Sequence, residues 1–139
     1  MDLSKIGIIR TSKKEDERRV PIHPEHLRRL PEHIRKKLIF EKGYGKPFHI
    51  EDDEIAKQTG GMATRSEILS DIGTAIIAKP ILSDFNELKE GGILWGYHHC
   101  AQQMHVTQAA IDRKLTLIAF EDMFVWSPNE QIGRHTFYK

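Results

Sequence analysis

Residues 74–80 read Thr-Ala-Ile-Ile-Ala-Lys-Pro, an apolar run that ends in a lysine and a proline. The run has no polar face, which is typical of a strand covered by helices on both sides of a parallel sheet. Because proline cannot donate to a strand ladder, Pro80 ends the strand and leaves the Lys79 ammonium at the edge of the sheet. The stretch therefore predicts a buried strand with a cation at its carboxyl end.

Further β-rich runs alternate with segments of helical pattern on either side of this stretch. They are residues 6–10, 38–41, 93–97 and 116–120. Such alternation is typical of βαβ units, which build parallel sheets. We expect an α/β fold of three layers, with a mostly parallel sheet and helices on both faces, of the flavodoxin-like or Rossmann-like kind.

Local signals place several of the helices. Pro24 begins one helix, acids at residues 52–54 begin another, and Thr64 with Glu67 has the spacing of a capping box. The clearest helical pattern covers residues 102–115. Its apolar face is predicted to consist of Met104, Thr107, Ile111 and Leu115.

Composition limits the class of protein. With 139 residues, 39% of them apolar, the chain can bury one core, so residues 1–139 are expected to form a single domain. A formal net charge of +1 leaves no field to attract nucleic acid or a membrane, and no apolar run predicts a membrane span.

The single cysteine, Cys100, excludes an intrachain disulfide and favours a cytoplasmic location. The histidine spacings match no common zinc site, so no metal is expected.

Three cationic or protonatable residues lie where predicted strands give way to loops: Arg19, Lys79 and His99. In a parallel sheet such positions meet at one edge, where ligands bind. Arginine can bind a carboxylate through two hydrogen bonds, lysine can polarise a carbonyl group, and histidine can transfer a proton. Each also has a simpler interpretation, as part of a solvated charged loop, a surface lysine or a packed histidine. Position alone does not separate Arg19 from Arg18, or His99 from His98.

Glycines follow the second predicted strand in Lys42-Gly43-Tyr44-Gly45-Lys46. The spacing continues into neither G-x-G-x-x-G nor a GK[ST] motif, so a tight turn is expected here rather than a phosphate site. We therefore expect this chain alone to bind no nucleotide. Any dinucleotide would be held by another domain.

Taken in order, several stretches resemble the N-terminal domain of the alanine dehydrogenase and pyridine nucleotide transhydrogenase superfamily. They cover residues 17–24, 41–45, 78–80, 92–99 and 118–121. That superfamily includes N5-(carboxyethyl)ornithine synthase and lysine-forming saccharopine dehydrogenase. The strings Glu-Arg-Arg-Val-Pro and Gly-Tyr-His-His look closest to these two enzymes.

The resemblance implies a role for each of the three edge residues. Arg19 corresponds to the arginine that binds the substrate carboxylate, while Lys79 and His99 correspond to the catalytic pair. The substrate would be an amino acid or 2-oxo acid, and NAD or NADP would be bound by a separate Rossmann domain. The full-length protein would be a homo-oligomeric oxidoreductase acting on CH–NH groups, and this chain alone would be inactive. Pro80 directly follows Lys79, whereas alanine dehydrogenases have Glu-Pro, which disfavours strict alanine dehydrogenase activity.

Other interpretations stay open. One is a non-enzymatic flavodoxin-like module that binds a partner or a small anion. A receiver domain of that kind needs acids after the first strand and an aspartate after the third, where this chain has Thr11-Ser12 and Lys79. Another is a regulatory or degenerate enzyme fragment. The terminal aromatics Phe137 and Tyr138 lack a following helix or strand terminator, which indicates a sequence that continues.

Overall fold

The computed structural model describes residues 4–126 and 133–136. A six-stranded sheet has the order β3-β2-β1-β4-β5-β6, and every neighbouring pair is parallel. Its strands are β1 (Ile6–Ile9), β2 (Leu38–Glu41), β3 (Gly61–Ala63), β4 (Thr74–Ile77), β5 (Ile93–Gly96) and β6 (Thr116–Ala119). The order reverses between β1 and β4. In open α/β sheets the crevice at the carboxyl ends of two such strands binds ligands.

Helical segments cover both faces of the sheet. The α-helices are α1 (Glu32–Arg35), α2 (Asp52–Gln58), α3 (Arg65–Glu67), α4 (Leu82–Glu87) and α5 (Met104–Asp112). Shorter 3₁₀ segments are Pro24–Arg29, Lys46–Phe48, Cys100–Gln102 and Phe120–Asp122, and Ile68–Ile72 is a π-helical turn. The predicted three-layer α/β fold is therefore confirmed.

Adjacent residues of the central strands belong to two separate buried clusters, one on each face of the sheet. Ile9 and Ile77 pack with Phe85 on one face of the sheet. Ile8 and Ile76 pack with Phe40 and Tyr44 on the other. Because successive side chains of a strand point to opposite faces, a central strand between two helical layers must be apolar at every position. All residues of β4 are buried accordingly.

The predicted helix signals are found at the expected places. The Thr64 side chain accepts from the backbone N–H of Glu67, and the Glu67 side chain accepts from the backbone N–H of Thr64, so the capping box is confirmed. Acids occupy the first turn of α2. Among residues 4–126 and 133–136, no helix is long and apolar enough to cross a membrane. Phe137 and Tyr138 lie outside the described residues.

The face predicted for the last helix is wrong at two of its four positions, whereas Leu115 packs against the core as expected. Met104 is 85% exposed and Ile111 is 63% exposed, whereas Val106 and Ala110 are buried. Val106 and Ala110 belong to the buried cluster that contains Phe85 of α4 and Leu94 of β5. The neighbouring elements therefore decided which stripe of the helix was covered, and that stripe contains smaller side chains than the predicted one.

Three elements were not predicted from the sequence. They are the short strand β3, the short helix α4, and an antiparallel hairpin of β7 (Phe124–Val125) and β8 (Arg134–His135). Each is six residues or fewer. Periodicity over so few residues gives too weak a signal to assign an element.

Candidate functional site

Lys79 and His99 meet at the carboxyl edge of the sheet. Lys79 follows β4 by two residues and His99 follows the neighbouring strand β5 by three. Nζ of Lys79 lies 2.5 Å from Nε2 of His99. One of these nitrogens must donate and the other accept, so a proton can pass between them. This pair is the chemical centre of the candidate site.

A sharp backbone turn brings the His99 imidazole to Lys79. His99 has φ 49° and ψ 39°, the left-handed conformation that non-glycine residues seldom adopt. Its backbone N–H donates to Oε1 of Glu121 at 2.7 Å. Glu121 lies just beyond β6, so the strand next to β5 holds the turn in place. Strained conformations of this kind persist where surrounding contacts enforce them.

The Glu121 carboxylate also faces two imidazole rings. Its Oε1 lies 3.7 Å from Nδ1 of His99 and 3.8 Å from Nδ1 of His98. The sequence alone indicated no role for Glu121, although residues 118–121 carry part of the family resemblance. No local pattern could have placed it opposite His99, because the two are separated by a helix and a strand.

His98 and His99 have different surroundings. His98 is only 6% exposed, and burial lowers its pKa although the nearby Glu121 charge opposes this effect. The neutral imidazole of His98 is therefore favoured inside the domain. His99 is partly exposed and lies against Lys79, so of the two histidines it is the one placed at the edge.

The surroundings of Lys79 favour loss of its proton. Burial lowers the pKa of Lys79, and the positive charges of Lys14 and Arg19 lower it further, while Glu121 and Glu17 act in the opposite direction. The Ser12 hydroxyl donates to the backbone carbonyl of Lys79 at 2.8 Å. An amine of this kind can exchange protons nearer neutral pH than an exposed lysine can.

Arg19 lies near the same edge but is bound to a neighbour. Its Nε donates to Oε1 of Glu17 at 2.9 Å and its Nη2 donates to Oε2 at 2.6 Å. The guanidinium carbon is 5.5 Å from the centre of the Tyr97 ring. The geometry is that of a two-pronged carboxylate complex, with Glu17 as the carboxylate. A substrate carboxylate would have to take the place of Glu17, which the sequence did not predict.

The Arg19–Glu17 contact predicts an unusual titration. The hydrogen bond from Arg19 lowers the pKa of Glu17 from its ordinary 4.5 to about 2. A carboxyl group whose pKa is lowered by folding stabilises the folded protein at any pH above 4.5, the ordinary pKa of the group. This contribution is lost as the pH falls from 4.5 towards about 2. We expect carbon NMR of the Glu17 carboxyl group to give a midpoint near that lower value. Arg19→Gln should restore ordinary titration; if Glu17 already titrates near 4.5 in the unaltered chain, the pair is not formed in solution.

The turn after β1, where a Rossmann fold binds a pyrophosphate, does not fit a dinucleotide here. The backbone N–H groups of Arg10 and Thr11 both donate to Oε2 of Glu41 at 2.9 Å. Glu41 is buried at the end of β2, so its negative charge occupies the position that a phosphate would need. The N–H of Gly43 is likewise bonded to the Asp52 carboxylate. These N–H groups are already paired with carboxylates, so this turn is a poor site for a phosphate.

Comparison with known proteins identifies the family. The sequence model described as "Alanine dehydrogenase/PNT, N-terminal domain" matches residues 7–131. The chain belongs to this family. Among curated members, it is 36% identical to an alanine dehydrogenase of Methanococcus maripaludis over 78% of this chain and 29% of that protein. It is 32% identical to alanine dehydrogenase 2 of Staphylococcus aureus over 84% of this chain and 31% of that protein.

Solved structures of family proteins share the fold. A transhydrogenase from Sinorhizobium meliloti superposes with a TM-score of 0.68 at 18% identity, covering 91% of this chain and 36% of that one. An L-alanine dehydrogenase superposes with a TM-score of 0.69 at 22% identity, covering 90% and 34%. The chain therefore spans about three-tenths of the length of the curated relatives that it matches.

Proposed function

We propose that this family domain binds the substrate of an NAD(P)-dependent oxidoreductase that acts on the CH–NH group of amino acids. The observation that carries the proposal is the contact between Lys79 and His99 beside the reversal point of the sheet. The substrate would be an amino acid or a 2-oxo acid. Because the first turn of the sheet does not fit a dinucleotide, the proposal places the nicotinamide cofactor in a part of a longer protein outside this chain.

Each edge residue has a proposed task. Arg19 binds the substrate carboxylate after exchange with Glu17. Oxidation of a C–N bond to C=N removes a proton from nitrogen, and the pair of Lys79 and His99 can accept it. In the reductive direction the same pair returns the proton to the nitrogen or oxygen at the reacting carbon. Hydride transfer is what a nicotinamide supplies, and none of the described residues supplies it.

The proposal extends to enzymes that join a 2-oxo acid to an amino group, as N5-(carboxyethyl)ornithine synthase and lysine-forming saccharopine dehydrogenase do. Its support is the Gly-Tyr-His-His string and Pro80 directly after Lys79. NAD(P)H oxidation by the full-length protein should be measured with pyruvate or 2-oxoglutarate, each with ornithine, lysine or ammonia. Turnover with ammonia alone would exclude this subgroup and leave an ordinary amino-acid dehydrogenase.

Arg19→Lys is expected to weaken substrate binding, because a lysine cannot form the two-pronged contact with a carboxylate. We expect KM for the carboxylate substrate to rise by about tenfold to a hundredfold, the equivalent of one charge-assisted hydrogen bond. Steady-state kinetics of the full-length protein measures this change, with Arg28→Lys as a control on the exposed surface. An unchanged KM would remove Arg19 from the proposed site.

The competing hypothesis is a non-enzymatic module that binds a partner or an anion. Calorimetric titration of the full-length protein with 2-oxo acids, with and without NAD(P)H, distinguishes the two functions. Binding of a 2-oxo acid that NAD(P)H strengthens, and that Lys79→Met or Arg19→Gln abolishes, supports the enzyme, whereas binding that is the same with and without NAD(P)H supports an anion-binding module. Homo-oligomerisation and a cytoplasmic location belong to the proposal and are tested by sedimentation and by cell fractionation.

A further inference from the structure

A polar network joins the two loops that border the crevice between β1 and β4. Asp84, in the first turn of α4, is completely buried. One carboxylate oxygen accepts the backbone N–H of Ile81 at 2.8 Å, and the other accepts a hydrogen bond from Nη2 of Arg65. Asp84 therefore holds the loop that follows Lys79.

Arg65 holds the opposite loop. Its Nη1 donates to the backbone carbonyl of Thr11 at 2.7 Å. The next residue, Ser12, donates to the backbone carbonyl of Lys79 at 2.8 Å. The loop after β1 is thus linked to the loop after β4 directly through Ser12 and indirectly through the Arg65–Asp84 pair, and Lys13 of the same loop also pairs with Glu87 at the end of α4.

We propose that Arg65, Asp84 and Ser12 form a clasp that sets the position of Lys79 relative to His99. These three are positioning residues, since the hydrogen bonds described for them go to backbone groups and to each other rather than to His99 or the Lys79 ammonium. That Lys79 takes part in catalysis rests on the proposed function, whereas the control of its position does not.

The cost of burying charge supports this role. Replacing a buried ion pair by apolar residues of similar volume is often neutral or stabilising, so a fully buried carboxylate is a poor way to stabilise a core. It does, however, define a geometry, because Arg65 must reach Thr11 and Asp84 at once. Arginine reaches the two acceptors with separate nitrogens, Nη1 for Thr11 and Nη2 for Asp84, whereas lysine would have to reach both with its single nitrogen.

A simpler role for Asp84 is to cap α4 through the N–H of Ile81. The hydrogen bond from Ser12 to Lys79 lies outside that helix and contributes nothing to such a cap. Ser12→Ala and Arg65→Lys therefore test the clasp, and neither leaves Asp84 as an unpaired buried charge. The charged groups that face Lys79 are Lys14, Arg19, Glu17 and Glu121, and both variants retain all of them.

The surroundings of the Lys79 amine can be probed without substrate, through the pH at which the amine loses its proton. Acetic anhydride reacts with neutral amines, so labelling of the full-length protein over a range of pH, followed by mass spectrometry, gives a midpoint for each lysine. Because burial lowers the pKa of Lys79, we expect the labelling midpoint of Lys79 to rise measurably in Ser12→Ala and Arg65→Lys, as water reaches a loosened ammonium. The exposed Lys114, which is paired with Glu90 at the other end of the sheet, should not change.

Two results separate the clasp from the proposed function. If both variants are folded and the labelling midpoint of Lys79 is unchanged, the clasp is refuted, whatever the melting temperatures. If Lys79→Met keeps full activity, the proposed function fails, and the labelling result still decides the clasp.

Where the clasp and the proposed function both hold, Arg65→Lys lowers kcat by about tenfold to a hundredfold, as expected for a misplaced catalytic group, with a smaller change in KM. Should Arg65→Lys not fold, Ser12→Ala decides.

Discussion

Lys79→Met is expected to lower kcat of the full-length protein by about a hundredfold to ten-thousandfold, the usual contribution of a general acid or base. Methionine keeps most of the volume and length of lysine but can neither hold nor release a proton. The loss should appear in amino-acid-dependent reduction of NAD(P), measured at saturating substrate. His99→Gln should give a loss of similar size, because Nζ of Lys79 and Nε2 of His99 share one hydrogen bond.

The two losses should not add. Groups that act as a unit are strongly non-additive, so the double variant should be little slower than the worse single variant. Lys114→Met is the matched control, because that lysine is exposed and bonded to Glu90 far from the carboxyl edge. Wild-type rates in both Lys79→Met and His99→Gln would remove this pair from the mechanism.

Gly96→Ala is expected to destabilise the domain and to disrupt the site, although alanine ordinarily costs less conformational entropy than glycine. A methyl group at this position would lie 2.1 Å from the backbone oxygen of Ile77 and 3.0 Å from Cδ of Pro80. The carboxyl ends of β4 and β5 would have to move apart. Overpacking of this kind typically costs about 1–3 kcal/mol. Lys79 and His99 follow these two strand ends, so their contact should be lost as well.

Chemical denaturation measures the first effect, and the pH dependence of Lys79 labelling measures the second. Gly91→Ala is the control, since its methyl group would meet nothing within 4 Å. Gly91 has φ 73°, so that variant should lose about 1–2 kcal/mol from backbone strain alone and leave Lys79 unchanged. Equal stability of Gly96→Ala and the unaltered chain would show that β4 and β5 can separate without cost.

The strand that sequence reasoning located most clearly is apolar on both faces. Four of residues 74–78 are apolar, Thr74 being the exception, and the structure buries all five. The capping box at Thr64 and the acids at the start of α2 are equally local signals, and both are found as predicted. Met104 and Ile111 illustrate the limit, because helical spacing identifies an apolar stripe but not the neighbour that covers it. A stripe containing Val106 and Ala110 packs on the sheet instead.

The residues of the candidate site also fall into two groups, those that the sequence could indicate and those that it could not. Lys79 and His99 could be proposed because each follows an apolar run, and parallel strands end at one edge. Their partners could not be proposed. Glu121 is 22 residues from His99, and Asp84 is 19 residues from Arg65, so nothing in the local sequence relates them. Glu17 is two residues from Arg19, yet a run of charges gives no reason to choose this pair over others.

The sequence by itself determined the α/β class, the family and the residue types at the carboxyl edge, because these depend on periodicity and on short motifs. Only the tertiary structure decided that Glu17 binds the Arg19 guanidinium, that Glu41 accepts the backbone N–H groups of the turn after β1, and that Lys79 contacts His99. Each of these is a contact between side chains and backbone groups brought together by the turns and by the order of the strands. Such contacts depend on the path of the chain between the elements, which periodicity does not encode.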